Sequence, residues 1–440
     1  MDFSNHSQSQ AQPEGVIWQE TTFGLEPKWA KEPDQRAIRA TISSLYPSSA
    51  SPEVSFLAQG AFNKIYNVRV NDEDLIMRVS LPVDRAYKIL SEVATLKWIN
   101  AVTSVPAPEV IAYNDSQGKD AVGFEWILTT KLPGKPFSDR CRSVPLDAKI
   151  RLVKQLAAHS AALFQHQLRS IGNLYSKKTS DHVDSPFLGR IVSMHFFWGE
   201  RVHMNVFRGP FRWSRHWMRA RLDIIEGECK ATLAKYSGGN DIQSDAEDEI
   251  DDATRTLRIV NSLNKVLSLV FPEPPSDGDT EIDEVDGEPT MIFHDDLSQS
   301  NILIDERDEL CGLIDWECVS ALPLWKACDL PSFLDHTPRE TEPYASRYTR
   351  EESGELADLY WEHMWEYEAT VLRRVFLDEM GSIERRWIDI FNSSQRKRDI
   401  DLAVTLCDSE FSARPIEAWI MDVLAGKPDP PSLRTRIDSD

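Results

Sequence analysis

The stretch FHDDLSQSNILID (residues 293–305) places a histidine, aspartates, serines and an asparagine directly before a short apolar run. His294, Asp296 and Asn301 follow the order H-x-D-x-x-x-x-N, and Asp315 stands nineteen residues after Asp296, in GLIDWE. A β-hairpin is predicted from the segments NILID and LCGLID, which a short turn separates. This hairpin would bring Asn301 and Asp315 to the same end of its two strands. The polar groups at that end would face a substrate, while the apolar run anchors the loop.

This combination of residues is typical of phosphoryl transfer in the protein-kinase-like fold. The reaction needs a carboxylate that orients and deprotonates the acceptor hydroxyl, and oxygen ligands for Mg2+ on the phosphates. We predict that Asp296 is the catalytic base. We predict Asn301 and Asp315 as metal ligands, because Mg2+ prefers hard oxygen donors and is shared with substrate phosphates. Turn and capping roles would explain a lone D-x-x-x-x-N, but the whole set with its hairpin is more specific.

The elements that must position these residues are also visible in the sequence. Apolar and polar residues alternate as in β-strands in three segments, VSFLAQG, NKIYNVRVN and DLIMRVSLP. A helix is predicted next, because the apolar residues of SEVATLKWINA have helical spacing. Two further strands are predicted from PEVIAYN and AVGFEWILTTKL. The pattern predicts a small sheet with one inserted helix over about residues 50–132. The longer apolar-faced segments that follow, such as DAKIRLVKQLAAHSAALFQHQ, predict a mainly helical remainder.

Several segments lack a core-forming pattern or stand outside the predicted sheet. We predict a flexible arm over residues 1–35 and a short amphipathic helix near residues 36–47. Two acidic stretches, residues 241–253 and 274–289, are predicted to be solvated loops or flexible inserts. Residues 426–440 are predicted to be a tail.

Composition excludes some classes of protein. The chain has 440 residues, of which 41% are hydrophobic, so it can bury a sizeable core. The net charge of −22 argues against nucleic acid as a partner. It is compatible with a cationic, amine-bearing acceptor, or with solubility alone. The six cysteines form no CxxC pair, so we expect reduced thiols, no zinc site and a cytoplasmic location. No apolar stretch reaches the roughly 18 residues of a membrane span.

FHDDLSQSNILID with GLIDWE resembles the loop of the aminoglycoside phosphotransferase (choline kinase-like) family, usually HGDLxxxN followed by IDW. The upstream segments of the family are also resembled by four stretches of this chain, FLAQGAFNKIYNV, LIMRVSLPVDRAYKILSEVATLKWI, VPAPEVIAYN and GFEWILTTKLPG. The resemblance is strongest to fungal members of the family. The resemblance covers about residues 50–335. It implies an α+β, two-lobed protein-kinase-like fold and the cofactors ATP and Mg2+. The small antiparallel-sheet N-lobe with one helix would span residues 36–132, and the larger, mainly helical C-lobe residues 133–425.

The resemblance also implies a set of nucleotide-binding residues. A turn in AQGAFNK would cover the ATP phosphates, with Gly60, Ala61, Phe62, Asn63 and Lys64 as its members. This turn is poor in glycine, and a plain hairpin turn would look the same. Lys64 would either add a phosphate contact or be an exposed strand lysine.

Arg78 stands where the family usually has a lysine, and Glu92, fourteen residues later, would pair with it across strand and helix. An arginine keeps a positive charge near the phosphates, but its planar fork differs from a compact ammonium group. The alternative for Arg78 is a surface charge on an edge strand. Thr130 and Leu132 would lie at the hinge between the lobes, where the backbone binds adenine.

The resemblance implies other roles for three residues in or near the motif. His294 would hold the loop by hydrogen bonding and would not act as a base. Asp295 replaces the usual glycine and would be a bystander. Glu317 would be either structural or close to the metal.

The sequence therefore predicts a phosphotransferase acting on a hydroxyl group of a small molecule. A kinase-like binding or scaffold protein without turnover is the main alternative, because Arg78 and the glycine-poor turn depart from the family pattern. A protein kinase is the third candidate, although the chain has no D-F-G and no A-P-E segment.

Overall fold

The computed structural model describes residues 15–22, 24–49, 51–115, 121–177, 185–237, 244–272, 287–428 and 430–439. Over these residues an antiparallel sheet near the start of the chain is followed by a mainly helical region. No helix among the described residues combines the length and the apolar character needed to cross a membrane.

A β-hairpin lies where we predicted a flexible arm. Strands β1 (Val16–Thr21) and β2 (Gly24–Trp29) pair in antiparallel register. The prediction is wrong for these residues because aromatic contacts attach the hairpin to later parts of the chain: the Trp29 ring lies 5.0 Å from that of Phe124, and the Trp18 ring 5.1 Å from that of Trp198. Residues 1–14 of the predicted arm lie outside the described residues.

The predicted small sheet with its inserted helix is confirmed. Its strands are β3 (Glu53–Gln59), β4 (Asn63–Val70), β5 (Glu73–Ser80), β6 (Val110–Asn114) and β7 (Glu125–Thr130), in the order β3–β4–β5–β7–β6. Helix α1 (Gln35–Leu45) packs on one face, and helix α2 (Tyr87–Val102) connects β5 to β6. Asn71 and Asp72 form the β4–β5 turn with positive φ angles of 51° and 65°.

The hairpin predicted from NILID and LCGLID is also present. The later short strands are β8 (Lys135–Pro136), β9 (Leu168–Arg169), β10 (Asn173–Lys177), β11 (Ser185–Gly189), β12 (Pro289–Phe293), β13 (Ile302–Ile304), β14 (Leu310–Leu313) and β15 (Ser320–Pro323). Strand β13 pairs with β14 on one side and β8 on the other, while β12 pairs with β15 and β9. The polar stretch of the motif, residues 294–301, therefore connects two buried strands.

The rest of the described chain is mostly helical, as predicted. The helices are α3 (Leu146–Gln165), α4 (Met194–Phe197), α5 (Ser214–Tyr236), α6 (Ser244–Val270), α7 (Leu324–Ala327), α8 (Asp358–Ile383), α9 (Arg385–Ser393), α10 (Gln395–Leu406), α11 (Glu410–Leu424) and α12 (Leu433–Ile437). Their apolar faces share one large core with the inner face of α2. Helix α2 thus packs between the sheet and the helical region.

The first acidic stretch is helical where the structure describes it, so the prediction of a loop over residues 241–253 is wrong from residue 244 onwards. Ala246 and Ala253 are buried, while the carboxylates between them are mostly exposed. Glu249 accepts a hydrogen bond of 2.8 Å from the Tyr236 hydroxyl of α5. An amphipathic helix tolerates many carboxylates on its solvent face.

The second acidic stretch and the predicted tail have different outcomes. Most of the stretch over residues 274–289 lies outside the described residues, and Pro289 begins β12. The tail prediction is wrong for α12, because Leu433 is fully buried and Arg436 pairs with Asp422 at 2.6 Å. The proposed lobe boundaries themselves stay predictions.

Candidate active site

The loop between β12 and β13, residues 294–301, holds the predicted catalytic aspartate in an exposed position. The Asn301 Nδ2 group donates to the backbone carbonyl of Asp296 at 2.8 Å and to its carboxylate Oδ2 at 3.2 Å. Asn301 is 8% exposed, since it ends the loop just before buried β13. A buried amide therefore orients an exposed carboxylate five residues earlier.

His294 fixes the start of this loop, as the sequence predicted. Its Nε2 atom is hydrogen-bonded to the backbone carbonyl of Ile314 at 3.0 Å, and its ring lies 4.9 Å from that of Trp316. The side chain is buried and does not face the open side of the site. This contact links the loop to the residue directly before Asp315.

The hairpin brings Asn301 and Asp315 to one end, as predicted. Ile302 is paired with Leu313, and the Ile314 amide donates to the Asn301 carbonyl at 3.0 Å. Asp315 itself has a φ of 66°, which lies in the left-handed region. Aspartate adopts this region more readily than most residues.

Arg78 and Glu92 complete the site from the sheet side. Arg78 on β5 forms an ion pair with Glu92 on α2, so the predicted strand-to-helix pair is present. Its second contact was not predicted: Arg78 Nη1 lies 3.2 Å from Asp315 Oδ1. The Arg78 and Glu92 side chains are 10% and 4% exposed, against 38% for Asp315. The planar guanidinium thus links two carboxylates, which suits an arginine better than a lysine.

Sequence reasoning missed Lys88, which is fully buried on α2. Its Nζ atom lies 2.5 Å from Glu317 Oε2 and 3.1 Å from Asn63 Oδ1. The Asn63 Nδ2 group donates to the same Glu317 oxygen at 2.8 Å, and its Oδ1 accepts from Ser80 at 2.7 Å. The available signal was a lysine four residues before Glu92, which places both on one face of α2.

The turn between β3 and β4 only partly matches its predicted role. Gly60 and Ala61 are exposed at the turn, where a nucleotide could reach them. Phe62 is buried: its ring packs 5.5 Å from Phe197 and 6.0 Å from Trp198. Its side chain therefore anchors the turn and does not face the phosphates, which corrects the predicted contact.

Lys64 lies on the face of the sheet opposite to the site. It is paired with Val79, whereas Ile65 is paired with Arg78, and side chains alternate along a strand. Lys64 forms an ion pair with Glu32 and lies 5.1 Å from the Trp29 ring. Neither alternative from the sequence fits this geometry: Glu32 and Trp29 hold Lys64 on the face away from Arg78, which disfavours a phosphate contact, and the side chain is buried, so it is not an exposed strand lysine.

At the hinge, Thr130 and Leu132 have different environments. The Thr130 amide donates to the Glu109 carbonyl, and its hydroxyl accepts from the Glu109 amide, both at 2.9 Å. The amide of Thr130 is therefore engaged and is not available to adenine. Leu132 packs so closely on Gly312 of β14 that a Cβ there would lie 2.8 Å from the Leu132 Cδ1 atom. Adenine binding at Leu132 stays a prediction.

The carboxylates of this site influence one another. Partial burial raises the pKa of Asp315, the charge of Glu317 raises it further, and Arg78 opposes both. Burial would also raise the pKa of Glu317, but Lys88 and Arg78 hold that pKa well below its usual value. A cation beside Asp315 would favour its charged form.

The oxygen donors fit Mg2+. The Asp315 carboxylate and the Asn301 amide at one hairpin end are hard ligands, which Mg2+ prefers. The described residues contain no group of three or more His, Cys, Asp or Glu side chains able to hold a metal ion. Few protein ligands are expected when substrate phosphates and water complete the coordination.

A family comparison covers the residues of this candidate site. The model of the phosphotransferase enzyme family (APH) matches residues 53–364, which is more than half of the chain. The chain belongs to the phosphotransferase enzyme family. With the small antiparallel sheet and the helical region, this membership confirms the predicted two-lobed, protein-kinase-like α+β fold.

This family member is similar in sequence to several fungal proteins. A subtelomeric hrmA-associated cluster protein of Aspergillus fumigatus (strain CBS 144.89) is 28% identical over 311 residues, 65% of this chain and 61% of that protein. Clavilactone A biosynthesis cluster protein Y of Ampulloclitocybe clavipes is 23% identical over 346 residues, 74% and 76% of the two chains. The match thus spans less than two thirds of the Aspergillus relative's length.

A solved structure of a thermostable mutant of aminoglycoside phosphotransferase APH(4)-Ia, in a ternary complex with ADP and hygromycin B, also matches this family member. The two are 13% identical, with a TM-score of 0.43, over 90% of this chain and 100% of the other.

Proposed function

We propose that this family member is an ATP- and Mg2+-dependent phosphotransferase that transfers the γ-phosphate to a hydroxyl group of a small molecule. One observation carries the proposal. Asp296, Asn301 and Asp315, the proposed base and the proposed metal ligands, are connected through one loop and one hairpin end. This is the residue set that phosphoryl transfer requires.

In the proposed reaction the acceptor oxygen attacks the γ-phosphorus while the bond from that phosphorus to the β–γ bridging oxygen breaks, releasing ADP. The hydroxyl proton passes to the Asp296 carboxylate, which is exposed and oriented by Asn301. Correct orientation of the hydroxyl accounts for much of the catalysis, because this reaction needs little covalent chemistry from the protein.

Asn301 and Asp315 are the proposed Mg2+ ligands. The ion, when bound, neutralises charge on the transferring phosphates. Arg78 is the proposed cationic contact to the α- and β-phosphates. Glu92 holds the guanidinium from behind, so the arginine is already oriented before the nucleotide arrives.

The first experiment is thermal unfolding of the purified chain with ATP, with and without Mg2+. A ligand that binds only the folded state raises the unfolding midpoint, so wild type is expected to show a Mg2+-dependent rise. Asp315→Ala is expected to lose it. Glu306→Ala, which removes an exposed carboxylate at the turn of the same hairpin, is expected to retain it. Folded wild type that shows no rise at millimolar ATP would refute the nucleotide site.

For the acceptor we propose a small molecule that bears an amine. The net charge of −22 and the exposed carboxylate of Asp296 support a cationic acceptor. The test is phosphate transfer from labelled ATP to amine-bearing alcohols, to neutral alcohols and to a protein fraction. Preferential labelling of neutral alcohols would contradict the amine, and labelling of proteins would favour the protein-kinase alternative.

The second candidate is a kinase-like binding or scaffold protein without turnover. It is favoured by the Arg78–Asp315 contact, because the guanidinium engages a carboxylate oxygen that a metal ion would otherwise use. Replacing Asp296 by asparagine distinguishes the two. A scaffold keeps its cellular role in Asp296→Asn, whereas an enzyme loses it.

We propose the cytoplasm as the location of this phosphotransferase. All six cysteines occur as free thiols, and four of them are buried, which supports a reducing compartment. Microscopy of a fluorescent fusion checks this. Accumulation in a secretory compartment would contradict it.

A further inference from the structure

Beyond the predicted residues, helix α2 makes two separate charged connections to the segment that carries Asp315. Glu92 reaches it through Arg78, which contacts the Asp315 carboxylate. Lys88 reaches it through Glu317, two residues further along the chain. The first connection contains the departure from the family lysine. The second involves no residue that the proposed mechanism uses.

We propose that the buried Lys88–Glu317 pair is a positioning device that holds the Asp315 carboxylate in the geometry required for binding Mg2+ with the nucleotide. Lys88 and Glu317 are positioning residues, since neither is proposed to contact the metal or the phosphates. The inference rests on the proposed nucleotide site and adds two residues to it.

Backbone conformation gives the first argument. Asp315 and Cys318 have φ angles of 66° and 59°, so left-handed residues stand just before and just after the pair Trp316–Glu317. Such conformations are costly for most residues other than glycine, less so for aspartate than for cysteine, and they persist where the surrounding structure fixes them. The Glu317 carboxylate, held by Lys88 and Asn63, supplies that constraint between the two strained residues.

Connectivity gives the second argument. The Lys88 ammonium lies 2.5 Å from Glu317 Oε2, 3.1 Å from Asn63 Oδ1 and 5.9 Å from the centre of the Phe62 ring. Asn63 and Phe62 belong to the turn proposed to cover the phosphates. A single buried ammonium therefore connects that turn, helix α2 and the metal-binding segment.

Energetics give the third argument. The side chains of Lys88 and Glu317 are 1% and 13% exposed. Burying two charges is costly, and well-packed hydrophobic residues often stabilise a fold as well as a buried ion pair does. Stability alone is therefore a weak reason for this pair, whereas control of a strained, metal-binding segment is a specific one.

The test replaces both charges at once, in Lys88→Met/Glu317→Gln, so that no buried charge is left unpaired. The apparent affinity for Mg2+ is measured by titration calorimetry at a fixed ATP concentration, and ATP binding without Mg2+ is measured in parallel. We expect the Mg2+ affinity to fall by about 10- to 100-fold, the usual effect of removing residues that support metal ligands. ATP binding without Mg2+ is expected to change by less than about threefold, because this variant keeps Arg78.

The chain offers a closely matched control. Lys149 on α3 and Glu368 on α8 form another buried pair, with an Nζ–Oε2 distance of 2.5 Å and exposures of 3% and 14%. This pair joins two helices of the helical region. Lys149→Met/Glu368→Gln removes an equivalent pair and is expected to leave the Mg2+ affinity unchanged.

The outcomes separate the inference from the function on which it rests. If wild type shows no Mg2+-dependent ATP binding, the proposed function fails. If wild type binds and the folded Lys88→Met/Glu317→Gln variant has the same Mg2+ affinity, the positioning role is overturned. If that variant does not fold, Asn63→Ala removes the neutral side chain that contacts both Glu317 and Lys88, together with its hydrogen bond from Ser80, and leaves both charges in place. An unchanged Mg2+ affinity in that variant would also overturn the proposal.

Discussion

The loop of residues 294–301 and the β3–β4 turn both contribute to the site, but they are held in different ways. In the loop, the amide of Asn301 contacts Asp296, five residues earlier in the chain. In the turn, Asn63 contacts Glu317, which lies 254 residues later. The loop is organised by neighbours in sequence, and the turn by partners that are distant in sequence.

This difference explains why the contacts of the loop were predicted more fully than those of the turn. The contacts within the loop can be predicted from its residue types and their spacing. The orientation of Phe62 and Lys64 depends on Phe197, Trp29 and Glu32, which no local pattern connects with the turn. Contacts between residues close in sequence are thus easier to predict from the sequence than contacts between distant segments of the fold.

The largest expected effect tests the loop. Asp296→Asn removes the proposed base, and we expect turnover to fall by about 10²- to 10⁴-fold. Affinity for ATP with Mg2+ is expected to stay within about threefold, because Asn301 and Asp315 are retained. Turnover is measured as ADP release in the presence of an acceptor.

The adjacent aspartate provides the control. Asp295 is also exposed, and Asp295→Asn is expected to keep turnover within about tenfold of wild type. Equal losses in both variants would contradict the assignment of Asp296 as the base.

The next effect tests the sheet side of the site. Glu92→Gln leaves the buried Arg78 without its closest counter-charge, so we expect the free energy of unfolding to fall by about 3–5 kcal/mol. Urea denaturation measures this change. In Asp389→Asn, which breaks an exposed pair with Arg385, the loss is expected to be about 0–1 kcal/mol. A loss of that small size in Glu92→Gln would mean that Arg78 needs no partner on α2.

The next prediction concerns the pH dependence of stability at the start of α2, where we expect a change similar to or smaller than that in Glu92→Gln. Glu125 is 1% exposed and accepts a hydrogen bond of 2.7 Å from the Ala86 amide. Burial raises its pKa from 4.5 to about 7, against the lowering effects of this bond, Lys88 and Arg85. The folded protein therefore holds this proton more tightly than the unfolded chain. The associated stability is fully present below about pH 4.5 and is lost as the pH rises to about 7.

Glu125→Gln stays neutral and should remove this pH dependence. Compared with wild type, we expect equal stability at about pH 3.5 and a gain of up to about 3 kcal/mol at about pH 8. Urea denaturation at the two pH values measures both differences. Glu109→Gln, at an exposed carboxylate, serves as the control. A gain that is equal at both pH values would show that the effect does not come from ionisation of Glu125.

The smallest effect tests the turn. Because Lys64 points away from the site and pairs with the exposed Glu32, Lys64→Met is expected to change the free energy of unfolding by about 1 kcal/mol or less. Its affinity for ATP with Mg2+, measured by calorimetry, is expected to stay within about twofold of wild type. A tenfold loss in Lys64→Met would restore the phosphate contact predicted from sequence.

The sequence by itself determined the strands and helix around the site, the β13–β14 hairpin and the residues that the hairpin brings together. Periodicity, turn residues and short spacings act over a few residues, so a linear pattern carries them. The resemblance to the family also predicted the pair of Arg78 and Glu92, whose spacing suits a contact between a strand and the following helix.

Only the tertiary structure decided which side chains turn towards the site. It turned Lys64 away, buried Phe62, and brought Lys88, Asn63 and Glu317 together. It also ordered the β1–β2 hairpin and α12, whose buried residues gain their stability from distant surfaces. Burial and ion pairing depend on which distant segments meet when the chain folds, and spacing along the sequence does not carry that information.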